Sequence, residues 1–213
     1  DWSSDVCSSD LYEVRCFVRP TSDRSVLRDM PVEYAIGDLA DEGTLTSALE
    51  GCTALVNVAS IGFGHGPGIV RAAEQANVLR AIFFSTTAIF TTLPAQTKEV
   101  RTAAEECIMQ SGLEWTILRP TMIYGSPRDR NMWRLIQYLR RYPIIPIPGD
   151  GQSLQQPVYV DDLATATLAA LDARGSIGRA LNLAGAEPLT YNEVIDTICG
   201  LLGRAVLKLH IPL

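Results

Sequence analysis

The side chains of this sequence that could act on sulfur, metal or proton chemistry are few. Five cysteines, Cys7, Cys16, Cys52, Cys107 and Cys199, are odd in number and lack any C-x-x-C spacing. They encode neither a closed disulfide set nor a zinc site and read as free thiols of a reducing compartment. His65 sits inside IGFGHGPG (61–68), where an imidazole can donate a proton near neutral pH; the alternative for a lone histidine in a glycine loop is a solvated ring without a task.

The composition bounds what such residues can serve. With 213 residues, 47% of them hydrophobic and 20% charged, the chain suits one α/β domain and excludes disordered, collagen-like and disulfide-stapled classes. A formal charge of −6 argues against nucleic acid as a partner. No apolar run approaches the roughly 18 residues of a membrane span, and the polar start is unlike a signal peptide, so the chain reads as cytoplasmic. Residues 1–11, DWSSDVCSSDL, lack helical or strand periodicity and resemble the translation of a common sequencing-library adapter; a genuine polar terminus is the alternative. Three of the 24 acidic residues lie there, against 18 basic residues in the whole chain, so the remainder carries only −3.

From Tyr12 onward the pattern is regular. Strands are expected at 12–18, 32–38, 53–60, 79–86 and 114–120, and helices at 41–51, 69–77 and 95–111, the last with Val100, Ala103, Ala104, Cys107 and Ile108 on its apolar face. Gly51 and Gly112 close two of these helices. Beyond 125 come a helix (131–141), a proline-rich extended piece (142–151), a short strand in QPVYV, a helix (161–173), a strand (180–185), a helix (190–203) and a last strand from 206. Strands alternating with helices imply right-handed βαβ units and a parallel sheet.

Four stretches in order, GDLADEGTLTSALEGCTALVNVAS, IFFSTTAIF, SGLEWTILRPTMIYG and PGDGQSLQQPVYVDDLATATLAAL, resemble the extended or atypical short-chain dehydrogenases/reductases of the NAD-dependent epimerase/dehydratase kind. The resemblance implies a Rossmann-like, doubly wound parallel sheet over 12–125 and a small C-terminal, substrate-side α/β subdomain over 126–213 interleaved with that core, binding a dinucleotide across the carboxyl ends of the strands. It places Arg19 at the adenosine ribose, where a guanidinium favours NADP over NAD by offering a fork to a 2′-phosphate. Asp38 and Leu39 then meet the adenine. Ala59, Ser60 and Thr86 end strands beside the cofactor, and Pro120 and Ile123 flank the nicotinamide. Asp162 is expected to cap a helix.

The catalytic set implied by the resemblance is a Ser/Thr followed by Tyr-x-x-x-Lys, in which the lysine charge lowers a phenol pKa of about 10 so that tyrosine can exchange a proton with substrate. Thr87 falls at the Ser/Thr position. Thr97 stands where tyrosine belongs and Arg101 where lysine belongs. The only lysines, Lys98 and Lys208, have no tyrosine four residues earlier. Arg101 can hold a ribose hydroxyl or a substrate anion, and Tyr124 is the nearby phenol that can stand in as acid or base, or else simply pack.

A second departure is larger. The family's first strand, its GxxGxxG turn and its first helix have no counterpart in these residues, which removes the pyrophosphate cradle and parts 12–38 from 53–120. Two functions follow from the resemblance: an NAD(P)-dependent epimerase, dehydratase or oxidoreductase acting on a small molecule such as a sugar nucleotide or carbonyl compound, or a noncatalytic dinucleotide-binding sensor or scaffold, like the NmrA-like proteins and the complex I accessory subunit.

Overall fold

The structure, a computed structural model, describes residues 12–92, 96–127, 129 and 131–212. Residues 1–11, set apart in the sequence, lie outside the described residues. The described residues form two compact units, one running up to Leu118 and taking in Leu168–Leu181, the other made of Arg119–Thr167 and the residues from Asn182 on. Leu168–Leu181 thus returns to the first unit from the later part of the chain.

In the first unit, β1 (Val14–Val18) and β2 (Val32–Ile36) pair in parallel, with Val14 opposite Val32. Helix α1 (Glu42–Leu49) starts at Asp41, whose Oδ1 accepts from the amides of Gly43 at 3.0 Å and Thr44 at 3.2 Å. Such a cap satisfies donors that the helix itself cannot. Then follow β3 (Ala54–Asn57), α2 (Gly66–Gln75), β4 (Arg80–Phe84), α3 (Gln96–Met109) and β5 (Glu114–Pro120). β3, β4 and β5 run parallel in a four-stranded sheet of order β10-β5-β4-β3, β10 being Arg179–Leu183. Ala81, Ile82 and Phe83 of β4 are wholly buried, as a parallel strand covered on both faces should be.

Among the described residues β1 bonds only to β2 and β3 only to β4, so two parallel edges stay open. The β1–β2 pair is held by other means. Arg15 donates to the carbonyls of Ala48 at 3.0 Å and Glu50 at 2.8 Å, at the end of α1, and Phe17 packs against the core that also receives Leu55 of β3. Val56 of β3 and Val58 just beyond it are 39% and 75% exposed. This is the separation of 12–38 from 53–120 that the absent glycine-rich turn predicts.

The buried face of α3 keeps Ala104, Cys107 and Ile108 of the expected set, Cys107 packing on the core, and is rotated by one position. Ala104, Glu105 and Ile108 are buried, whereas Val100 and Ala103 are exposed. A Cβ on Gly66 would come within 2.7 Å of the Ala104 Cβ, so the first turn of α2 abuts α3 at that point and sets which face turns inward.

In the second unit, β6 (Ile123–Tyr124) pairs with β9 (Val158–Tyr159), and β8 (Leu154–Gln155) with β11 (Leu189–Thr190). Helix α4 (Met132–Arg141) and helix α6 (Tyr191–Leu201) enclose a core of Met132, Leu139, Ile145, Ile147, Val194 and Ile195. Thr190 and Glu193 form a reciprocal cap on α6. The proline-rich piece contains a true strand, β7 (Ile144–Pro148), parallel to β12 (Leu207–Ile211). Among the described residues β7 has one partner strand, which lets Pro146 and Pro148 sit in it without a second ladder to donate to. Helix α5 (Val160–Asp172) starts at Val160, one residue earlier than expected, so Asp161 and Asp162 lie inside its first turn and Asp162 is not the cap. Their charges still complement the helix dipole.

Candidate functional site

Parallel strands put their carboxyl ends on one edge, and the first unit's candidate residues sit at those ends. After β1, Arg19 is exposed, its carbonyl accepts from Ser22 at 3.0 Å, and among the described residues its guanidinium has no ion pair or hydrogen bond. After β2, Asp38 Oδ1 accepts from the Ala40 amide at 2.9 Å, an Asx turn, and Leu39 packs on the core. After β3, the Ala59 carbonyl accepts from the Asn57 side chain at 3.0 Å, and Ser60 Oγ accepts from the Gly62 amide at 3.2 Å.

After β4 comes the hydroxyl run. Thr86 Oγ1 accepts from the Ala88 amide at 3.2 Å and so caps the short 3-10 turn Thr87–Phe90 that carries Thr87. Ser85, just before it, donates its amide to the Leu118 carbonyl at 2.8 Å. Its Oγ is buried and has no hydrogen-bond partner among the described residues. Buried hydroxyls are ordinarily paired, so this orphan is a group still waiting for one. Sequence reasoning does not single out Ser85; its place beside Thr86 and Thr87 is the available signal.

On α3, Arg101 Nη1 donates to Thr97 Oγ1 at 2.6 Å. A Cβ on Gly62 would lie 2.8 Å from Arg101 Nε, so the glycine makes room for the guanidinium. His65 precedes α2 as its N-cap residue without a side-chain capping bond. Lys98 Nζ donates to the Thr91 carbonyl at 2.6 Å.

The second unit holds Pro120, buried, and Ile123 and Tyr124, which lie on β6 and are 36% and 38% exposed. The Tyr124 ring lies 5.4 Å from that of Tyr159, whose phenol is held above its ordinary pKa chiefly by the charge of Asp161 and its hydrogen bond. Thus Arg19, Asp38, Leu39, Ala59, Ser60, Thr86, Thr87 and Arg101 belong to one unit, and Pro120, Ile123 and Tyr124 to the other. Among the described residues no cluster of His, Cys, Asp and Glu could hold a metal ion, and no helix is long and apolar enough to cross a membrane.

A parallel α/β sheet of this order, with the candidate residues at its strand ends, has the architecture of a Rossmann-like fold. The family model described as NAD(P)H-binding matches residues 6–140, and the chain belongs to that family. The NAD dependent epimerase/dehydratase family model matches residues 98–184. The chain is 34% identical over 127 residues to the mitochondrial NADH dehydrogenase [ubiquinone] 1 alpha subcomplex subunit 9 of Arabidopsis thaliana, covering 59% of this chain and 31% of that protein. It is 24% identical to the Photosystem II assembly factor Ycf39 of Trieres chinensis over 95% of this chain and 65% of that one. The chain thus spans less than two thirds of either relative. In fold it matches the Bacillus cereus UDP-glucuronic acid 4-epimerase in complex with NAD, at TM-score 0.80, 19% identity, and coverage of 95% of this chain and 80% of that one. The Thermus thermophilus UDP-glucose 4-epimerase complex with NAD gives TM-score 0.77 at 19% identity, covering 96% and 80%.

Proposed function

We propose that this chain is the dinucleotide-binding part of a protein that holds NADP(H) without the tyrosine proton relay of a reductase. The carrying observation is the Thr97–Arg101 hydrogen bond of 2.6 Å. The family resemblance assigns these two positions to a tuned phenol and its lysine, and here an aliphatic hydroxyl and a permanently charged guanidinium are bonded to each other instead. A threonine hydroxyl is a far weaker acid than tyrosine, and the arginine beside it cannot pass on a proton.

The residues present fit the two ends of the cofactor. Arg19, with its unengaged guanidinium, suits a 2′-phosphate, and Asp38 and Leu39 suit the adenine. The orphaned Ser85 hydroxyl, with Ala59, Ser60 and Thr86 of the same unit, suits the nicotinamide end. Pro120 and Ile123 keep the nicotinamide role that the family resemblance implies. The cofactor would supply hydride chemistry there. For the pyrophosphate, the 213 residues contain no GxxGxxG turn. Binding by these residues alone is therefore expected to be weak, and the informative quantity is the ratio of NADPH to NADH affinity by titration calorimetry. A preference for NADPH that Arg19→Ala removes supports the reading; a preference for NADH overturns the role of Arg19. The relatives named as a respiratory-complex subunit and as an assembly factor fit a structural or sensing role. The free thiols fit the reducing cytoplasm read from the sequence.

A second reading, an enzyme acting on a small carbonyl compound or sugar nucleotide, is favoured by the epimerase/dehydratase match over 98–184, which includes Arg101 and Tyr124. Turnover of such a substrate, lost in Tyr124→Phe, would establish it; saturable NADPH binding, preferred over NADH and without turnover, would establish the first.

A further inference from the structure

The second unit contains a cavity of about 450 Å³ whose lining residues come from α4, β7 and α6, together with Met122, Asn131 and Gln155. Its volume is that of a small-molecule site. The wall is mostly carbon: Met122, Met132, Leu135, Ile145 and Val194 face it, and Met132, Ile145 and Val194 are buried. The polar groups are largely committed or neutral. The Tyr138 hydroxyl donates to the Ile144 carbonyl at 3.1 Å, and burial pushes the Tyr191 phenol up, so it stays uncharged. Arg134 is the one charged residue of the lining among the described residues. Its side chain is exposed, at the mouth, and has no hydrogen bond or ion pair among the described residues.

We propose that this cavity binds an amphiphilic monoanion, with a medium-chain carboxylate as the simplest member: the carboxylate pairs with Arg134 and the apolar body lies against the two methionines, Leu135, Ile145 and Val194. A guanidinium offers a carboxylate two parallel donors. Methionine walls adapt to a flexible chain, and burying that chain is favourable in proportion to its apolar area. A nucleoside diphosphate sugar fits less well, since its two phosphates would meet a single cation, with the amides of Asn131 and Gln155 left for its many hydroxyls. The inference goes beyond the dinucleotide reading and does not require it.

The test is calorimetry on the whole 213-residue chain at pH 8, below the micelle concentration, with octanoate, decanoate, decanol and UDP-glucose and no dinucleotide. One saturable decanoate site is expected. It should be about fourfold tighter per added methylene, from roughly 0.8 kcal/mol each. Arg134→Gln is expected to weaken decanoate about tenfold or more and leave decanol unchanged, whereas Val194→Trp, which fills the cavity, removes both. Since Arg134 is exposed, its variant is expected to fold even should Val194→Trp fail. Decanoate uptake that does not saturate, or that ignores Arg134→Gln, overturns the proposal. So does UDP-glucose binding more tightly than decanoate. None of these outcomes bears on the NADPH titration, so the two readings fail separately.

Discussion

Arg101 is held on α3 between Thr97, whose hydroxyl it meets at 2.6 Å, and the backbone of Gly62, where a single added carbon would stand 2.8 Å from its Nε. Three residues from two segments thereby fix one cation beside the strand ends. Gly62→Ala is expected to push the guanidinium off Thr97. The obstacle is the flexible end of a side chain, so the cost should be modest, about 1 kcal/mol. Combining it with Arg101→Ala should recover most of that cost. Urea unfolding of the two single variants and the double variant measures the coupling, and strict additivity would show that the two residues do not interact.

Arg80 is a stronger test of the same principle. It is 9% exposed, with burial pulling its pKa down, and none of its hydrogen bonds goes to a carboxylate. Its donors go instead to Thr116 Oγ1 and Ser176 Oγ, both at 2.8 Å, and to the carbonyls of Ala170 and Leu171 at the end of α5. Carbonyls at a helix C-terminus carry partial negative charge and lack intrahelical donors, so the cation is satisfied by dipoles. Arg80→Met should cost about 3–5 kcal/mol in chemical denaturation by stranding those acceptors. A loss under about 1 kcal/mol would mean that water takes the guanidinium's place.

What is legible in the sequence follows physical lines. β4 can be read at once, since an apolar run with β-branched and aromatic residues has few other uses. The buried face of α3 can be read in part: periodicity finds Ala104, Cys107 and Ile108 but not the burial of Glu105, a charged residue that an apolar pattern leaves out. The strand around Pro146 reads only as extended, for prolines normally cost a ladder its donors, and a one-partner edge strand is where that cost vanishes. Arg19, Asp38 and Thr87 are candidates through the family resemblance, which sets them just after strands that the sequence pattern can locate. Arg80 looks like any charge opening a strand. The cavity draws its wall from positions between 122 and 194, which no local pattern links.

The open edges of β1 and β3 should be visible in amide exchange. β4 is flanked by β3 and β5, so its amides are bonded on either side. In β1 and β3 only the amides facing β2 and β4 have ladder partners among the described residues. Hydrogen exchange is expected to be at least about a hundredfold slower across Ile82–Phe83 than for the outward amides of β1 and β3. Equal protection would show a strand seated between the two edges.

The cap of α6 predicts a pH response. Glu193 accepts from the Thr190 amide at 2.7 Å and its hydroxyl at 2.8 Å, and these bonds hold its carboxyl below the ordinary value. A depressed folded pKa stabilises the fold above the unfolded value of about 4.3 and loses that contribution as pH falls through the folded one. Thermal melts from about pH 6 down to about pH 3 should therefore fall less steeply for Glu193→Gln than for the parent chain. Parallel curves would sink the cap's electrostatic role.

Ser85 gives a prediction whose two signs oppose each other. Its hydroxyl oxygen is buried and unpartnered at the end of β4, so in the protein alone it forfeits its hydrogen bonds to water and gains none in return. Ser85→Ala removes that penalty at nearly constant volume and should raise stability by about 1 kcal/mol. If the hydroxyl awaits the nicotinamide end of a dinucleotide, the same variant should bind NADPH about fivefold to tenfold more weakly, because the hydroxyl is bonded in the complex alone. A variant more stable and equally good at binding would leave the orphan without a ligand. A variant less stable would show that the oxygen already has a partner in solution, such as an ordered water, and the nicotinamide end would then have to be sought at Thr86 and Thr87.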